Sequence, residues 1–93
     1  MGTLTKDREI IVNMEGTIAG EVLLQQEKEL LVVNVPVYIK GKKAVCAKFF
    51  GDNALKLAQD AKRFGNKGKG TTYFFTGCMF GERLMHFQVK DFH

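Results

Sequence analysis

Few side chains in this chain could make or break a covalent bond. There is no serine, and the two cysteines, Cys46 and Cys78, lie 32 positions apart with no CxxC spacing. A Cys46–His86 dyad is conceivable, but no third group in the sequence marks itself as the orienter of the imidazole. Zinc would have to draw on both cysteines with His86 and His93, and their spacing fits no common site. The loop GNKGKGT (65–71) has the glycine and lysine of a phosphate loop. Gly70 nevertheless separates Lys69 from Thr71, and no strand leads into a helix there. The expectation is no enzyme, no metal and no cofactor, with each thiol acting as a small apolar side chain.

What remains is the chemistry of flat rings beside cations. Rings stack under unpaired bases at roughly 1–3 kcal/mol per base, and ammonium or guanidinium groups neutralise the phosphates. The candidate rings are Tyr38, Phe50 and Phe80, and the candidate cations are Lys40, Lys42, Lys43, Lys48 and Arg83. Lys67 and Lys69 add a looser contact from the glycine-rich loop. The competing reading is packing, because aromatics of a small β-protein are mostly core; Phe49, Phe64 and Phe87 are assigned to that role. Tyr73, Phe74 and Phe75 occupy consecutive positions of one strand, so at least one of them points outward.

The elements that must position these residues follow from apolar periodicity. REIIVNMEGTIAGEVLLQQ (8–26) reads as a long strand broken at Gly16 and Gly20. ELLVVNVPVYIK (29–40) has the clearest alternation: Leu31, Val33, Val35, Val37 and Ile39 form one apolar face, and Pro36 implies an edge or bulge. A tight basic turn at IKGKKA (39–44) leads into VCAKFF, where Val45, Ala47 and Phe49 point inward and Cys46, Lys48 and Phe50 outward. A helix follows, with Asp52 or Asn53 as cap, Ala54, Leu57, Ala58, Ala61 and Phe64 at helical spacing, and Gly65 as terminator. TTYFFTGCMF (71–80) and RLMHFQVKDF (83–92) are two further strands around a turn near Gly81. Three strands, one helix and two strands, with a glycine-broken first strand, predict an all-β five-stranded OB-fold barrel with one α-helix between the third and fourth strands. A mixed α+β sheet with the helix on one face is the alternative.

A chain of 93 residues makes one domain, 1–93, with 1–8 expected as a loose N-terminal segment. No run approaches the roughly 18 apolar residues of a membrane span, and the N-terminus lacks the apolar stretch of a signal peptide. A cytoplasmic setting without membrane contact is expected. The net charge of +4 conceals an asymmetry. Residues 1–39 carry three bases against six acids, and residues 40–93 carry eleven against four. A surface polarised in this way suits a polyanionic partner.

With these residues in view, the chain resembles the bacterial-type single-stranded DNA-binding protein (SSB) family over residues 10 to 92. VNMEGTIAGEV resembles the family's glycine-interrupted first strand. VCAKFFGDNALKLAQDAKRF resembles its third strand, ending in aromatic-glycine before an alanine-rich helix. KGKGTTYFFTGCM resembles its fourth strand. The resemblance implies sequence-tolerant binding of single-stranded DNA in replication, repair or transfer, with base stacking on Phe50, Tyr38 and Phe80. It also implies a homo-oligomer, dimer or tetramer, with replication proteins as further partners. The family's tryptophans are absent, Ala44 standing where one is common, and so are its glycine-rich linker and acidic tail. In that respect the chain resembles tailless relatives of the primosomal replication protein N type, or minimal members from phages and mobile elements. RNA binding by the same surface, or an OB-fold adaptor that binds only protein, are the rival expectations.

Overall fold

The computed structural model describes residues 8–39, 44–81 and 83–93. Its elements in chain order are β1 (Arg8–Ile18), β2 (Gln25–Glu27), β3 (Leu30–Tyr38), β4 (Val45–Phe50), α1 (Asp52–Phe64), β5 (Thr72–Gly81) and β6 (His86–Phe92). A single 3-10 turn, Asn66–Gly68, follows α1. Strands pair in the order β1, β5, β6, β4, β3, and β3 returns to β1 through Thr17↔Tyr38 and Ile18↔Val37. The result is a closed ring of five strands. Every contact in it is antiparallel except β4–β6, which is parallel. β2 pairs only with β3, on the far side of that strand from β4, and stands outside the ring.

The expected first strand, 8–26, is therefore two pieces. Past Ile18 the chain leaves the ladder, with Ala19 N–H donating to Pro36 O and Val22 N–H to Lys67 O. Pro36 sits where pairing between β1 and β3 has just ended, so its missing donor interrupts no ladder bond. Gly16 closes the ring. A Cβ there would lie 2.7 Å from Val37 Cγ1 and 3.2 Å from Phe75 Cε2, so a side chain would hold β1 away from β3.

Alternation places Val33, Val35 and Val37 of β3, Ala47 and Phe49 of β4, Phe75 and Met79 of β5, and Phe87 and Val89 of β6 inside the ring. Aromatic rings meet there edge to face. Phe49 and Phe92 are 5.4 Å apart at 85°, and Tyr73 and Phe92 are 5.0 Å apart at 90°. Such pairs contribute about 0.5–1.5 kcal/mol beyond the area they bury. α1 buries Ala54, Leu57 and Ala61, spaced to share one helical face, and packs on β3, β4 and β6.

Two local expectations are corrected. Neither Asp52 nor Asn53 caps α1: Gly51 is the N-cap residue and no side chain bonds the first turn. Asn53 instead donates to Lys90 O at 2.9 Å, tying the helix to β6. Phe64, assigned to the core, is 57% exposed with the Arg63 guanidinium 5.5 Å from its ring centroid. The last turn of the helix carries it beyond the patch of core that Leu57 and Ala61 cover. Among the described residues, no helix is long and apolar enough to cross a membrane.

Candidate nucleic-acid interface

Three neighbouring strands of the ring, β3, β4 and β6, turn one continuous outer face to solvent. Its side chains follow from alternation: Asn34, Pro36 and Tyr38 on β3; Cys46, Lys48 and Phe50 on β4; His86, Gln88 and Lys90 on β6. Register then sets their neighbours. Asn34, Lys48 and Gln88 lie in one row across the strands, and Pro36, Cys46 and His86 lie in the next. Phe80 of β5 extends the second row by pairing with His86. None of these ten positions carries a carboxylate; the acid of this side of β6 is Asp91, exposed beyond the register shift with β5.

Rings and cations on this face are already in contact. Lys48 Nζ lies 5.6 Å from the centroid of the half-buried Phe50 ring. Phe80 stacks on His86 at 5.3 Å and 21°, presenting a two-ring platform at the β5–β6 edge of the face. Across Pro36, Cys46 and His86 is a shallow, mainly apolar recess of about 340 Å³, lined also by Asn34 and Met85. Its walls are held by the Cys46 N–H bond to Met85 O at 2.8 Å.

Tyr38 is 51% exposed, but it stands apart from Phe50. Phe50 pairs with Val32, six residues before Tyr38, so the two rings are about 20 Å apart along the strand. Tyr38 lies instead beside a second recess formed with Glu15, Thr17 and Thr72, where β1 meets β3. Arg83 is exposed in the turn before β6. Lys40, Lys42 and Lys43 lie outside the described residues.

Lys67 and Lys69 are not on this face. Their loop is bonded to the end of β1, through Lys67 O to Val22 N–H and Gly70 N–H to Ile18 O. Lys67 Nζ also pairs with Glu21 at 3.5 Å, both largely exposed.

The structure adds residues that the sequence reading left out of the site. His86, Gln88 and Lys90 alternate outward, a period-two signal that was available in RLMHFQVKDF. What put His86 beside Cys46 and Gln88 beside Lys48 is the parallel pairing of β4 with β6, which no local pattern announces. Phe74 is the outward member of its triplet, 45% exposed and stacked on His93 at 5.7 Å. It lies between Glu15 of β1 and His93, one strand beyond the β3–β4–β6 face. Cys78 is buried, its thiol 3.8 Å from the Met79 carbonyl oxygen, whereas Cys46 is exposed on the recess.

One titratable group inside the ring is strongly perturbed. Burial, and then the Asp60 carboxylate that accepts its hydroxyl at 3.2 Å, push the Tyr73 phenol up to about 12. Its role is structural, since it joins β5 to α1. Among the described residues, no group of three or more His, Cys, Asp or Glu side chains converges as a metal site would require. Comparison with protein-family models, curated proteins and solved structures gives no match.

Proposed function

We propose that this chain is a non-catalytic, sequence-tolerant single-stranded DNA-binding protein of the SSB type, acting in the cytoplasm in replication, repair or transfer of DNA. The ring order β1–β3–β4–β6–β5, with the helix between its third and fourth strands in sequence, supports a five-stranded OB-fold barrel, with β2 as an appendage. The observation that carries the functional reading is the outer face of β3, β4 and β6. It combines Phe50 under Lys48, the Phe80–His86 platform and Lys90, with Asp91 at the far end of β6 as its one carboxylate. Rings there stack with bases, while Lys48, Lys90 and Arg83 neutralise phosphates. Tyr38 takes a base farther along the strand. Lys40, Lys42 and Lys43 follow Tyr38 in the sequence and are kept as further candidates for phosphate contacts. Lys67 and Lys69 are dropped from the primary face and kept as contacts for a longer strand that wraps toward β1.

Two copies assemble through β1. Among the described residues, nothing pairs with the edge of β1 from Arg8 to Gly16 that faces away from β5. Ile11 on that strand is 70% exposed, and an unblunted edge of this length is a template for another strand. Antiparallel pairing about Ile11 sets Ile11 against its own copy and Ile10 against Val12. Light scattering should give a dimer or a higher even multiple for the natural chain and a monomer for Ile11→Lys.

The binding experiment is a titration of labelled oligo-dT at several salt concentrations. Affinity should fall with salt, with a log-log slope of about −0.7 per phosphate contacted. Absence of binding at low salt sinks the reading. Binding of a partner protein that survives high salt, with no affinity for oligo-dT, would make the chain an adaptor. A matched RNA oligomer that outcompetes the DNA would make it a reader of the 2′-hydroxyl.

A further inference from the structure

The helix α1 has two flanks with different fates. The flank toward β5 and β6 is fully engaged: Asn53 donates to Lys90 O, Lys56 Nζ donates to Phe92 O at 2.9 Å, and Asp60 accepts from Tyr73. The opposite flank carries Leu55, Ala58 and Lys62 at helical spacing, and no strand of the ring covers it. It forms one wall of a groove of about 530 Å³. The other wall is Val22, Leu23 and Leu24.

That second wall is fixed. Val22 is buried, its N–H bonds Lys67 O at 2.8 Å, and Gly68 lies so close that a Cβ there would be 2.8 Å from Val22 Cγ2. The two leucines that follow are thus held in water on an anchored segment, at 56% and 41% exposure, facing the exposed Leu55. Three large aliphatic side chains around one groove are an unfilled apolar surface.

We propose that this groove docks a short acidic amphipathic segment of a partner protein, with two or three leucine-like anchors on one side. The chemistry of the walls chooses among occupants. No aromatic ring lines the groove, so it offers unpaired bases nothing to stack on. Its polar rim is cationic, with Lys62 and Lys67 and no acidic residue in the lining; Glu21 pairs with Lys67 from outside. A second copy seated here about a two-fold axis would bring the same lysines to both sides of one contact. An acidic segment relieves that charge and covers the leucines, the helix-in-groove mode of peptide recognition. The groove shares no lining residue with the recess at Asn34, Cys46 and His86, so it can be filled while nucleic acid occupies that face; only a strand long enough to reach Lys67 meets its rim.

The test uses the full chain, isotope-labelled for amide NMR, and synthetic peptides of about 14 residues with leucines at helical spacing. One peptide carries Asp and Glu at the remaining positions, and a second carries Lys there. The acidic peptide should shift the amides of Leu23, Leu24, Leu55, Ala58 and Lys62, with saturating oligo-dT present or absent. The lysine peptide should bind about tenfold more weakly or worse, as like charge at a rim dictates. Lys62→Glu, a surface change that leaves the fold alone, should weaken the acidic peptide about tenfold and reverse the preference between the two. Leu55→Asp should do the same to the acidic peptide while oligo-dT affinity is kept. Equal binding of both peptides, no shifts at millimolar peptide, or shifts confined to β4 and β6 would each overturn the proposal. So would a loss of dimer mass in Leu55→Asp, which would make the groove a contact between copies.

Discussion

Phe49 and Phe50 are adjacent in the chain, identical in chemistry, and opposite in orientation, so truncating each should damage a different property. Phe49 is wholly buried, edge-on to Phe92 at 5.4 Å and to Phe75 at 6.0 Å. Phe49→Ala removes those contacts and leaves a cavity in the middle of the ring, at a cost of about 3–5 kcal/mol. Against a total stability of about 5–15 kcal/mol for a domain of this kind, that is a large fraction. Phe50 is half-buried on the outer face, under Lys48. Its truncation forfeits part of the value of a buried ring, about 1 kcal/mol, and opens no enclosed cavity. If Phe50 stacks with a base, the same change removes about 1–3 kcal/mol of binding. That is a loss of about fivefold to 150-fold in affinity. Urea unfolding measures the first quantity and fluorescence anisotropy of labelled oligo-dT at low salt measures the second. Phe50→Ala should unfold near the natural midpoint and bind poorly, whereas Phe49→Ala should unfold much earlier. A folded Phe50→Ala that binds oligo-dT as tightly as the natural chain refutes the assigned face. A Phe50→Ala as unstable as Phe49→Ala refutes the orientation from which the face was built.

Lys48→Ala should flatten the log-log salt dependence of oligo-dT binding by about 0.7, the contribution of one phosphate contact, with little effect on unfolding. An unchanged slope would remove Lys48 from the interface. Tyr73 links stability to alkaline pH. Its phenol keeps its proton in the folded chain up to about 12, whereas the unfolded chain releases it near the ordinary value of 10. The stability this group confers is thus intact below pH 10 and drains away, by up to about 1.4 kcal/mol per pH unit, as pH rises toward 12. Tyr73→Phe should lack that decline, and urea midpoints of both chains at several alkaline pH values should converge. Parallel curves would contradict it. Gly77, at the register shift between β5 and β6, allows no side chain: a Cβ would collide with the Gln88 carbonyl oxygen and lie 2.9 Å from the Phe87 ring. Gly77→Ala should destabilise by about 3 kcal/mol or more, because backbone cannot yield as a side chain can. A neutral thermal melt would mean that the register shift is absent in solution.

How much was legible beforehand depended on whether the information was local. Alternation alone oriented Val33, Val35 and Val37 inward, and separated Phe49 from Phe50, because successive side chains on a strand must point to opposite faces. The placement of the helix between the third and fourth ring strands was readable from an equally local signal, the helical spacing of Ala54, Leu57 and Ala61. Phe64 misled because helical spacing gives direction around the axis but not where the underlying core ends. Capping misled because Asn53 had a better partner 37 residues away, in the Lys90 carbonyl.

The candidate site divides in the same way. The sequence by itself determined that Cys46, Lys48 and Phe50 share one outward face, and that charge is concentrated in the later half of the chain. Only the tertiary structure decided that β6 lies parallel against β4, bringing His86 beside Cys46 and Gln88 beside Lys48. It alone set Lys67 and Lys69 at the end of β1, away from that face, and left one flank of α1 open over Leu23 and Leu24. Side-chain direction is fixed by the geometry of two or three residues. Strand neighbours are chosen by the packing of the whole core, where Gly16, Gly77 and five interlocking rings admit one closure.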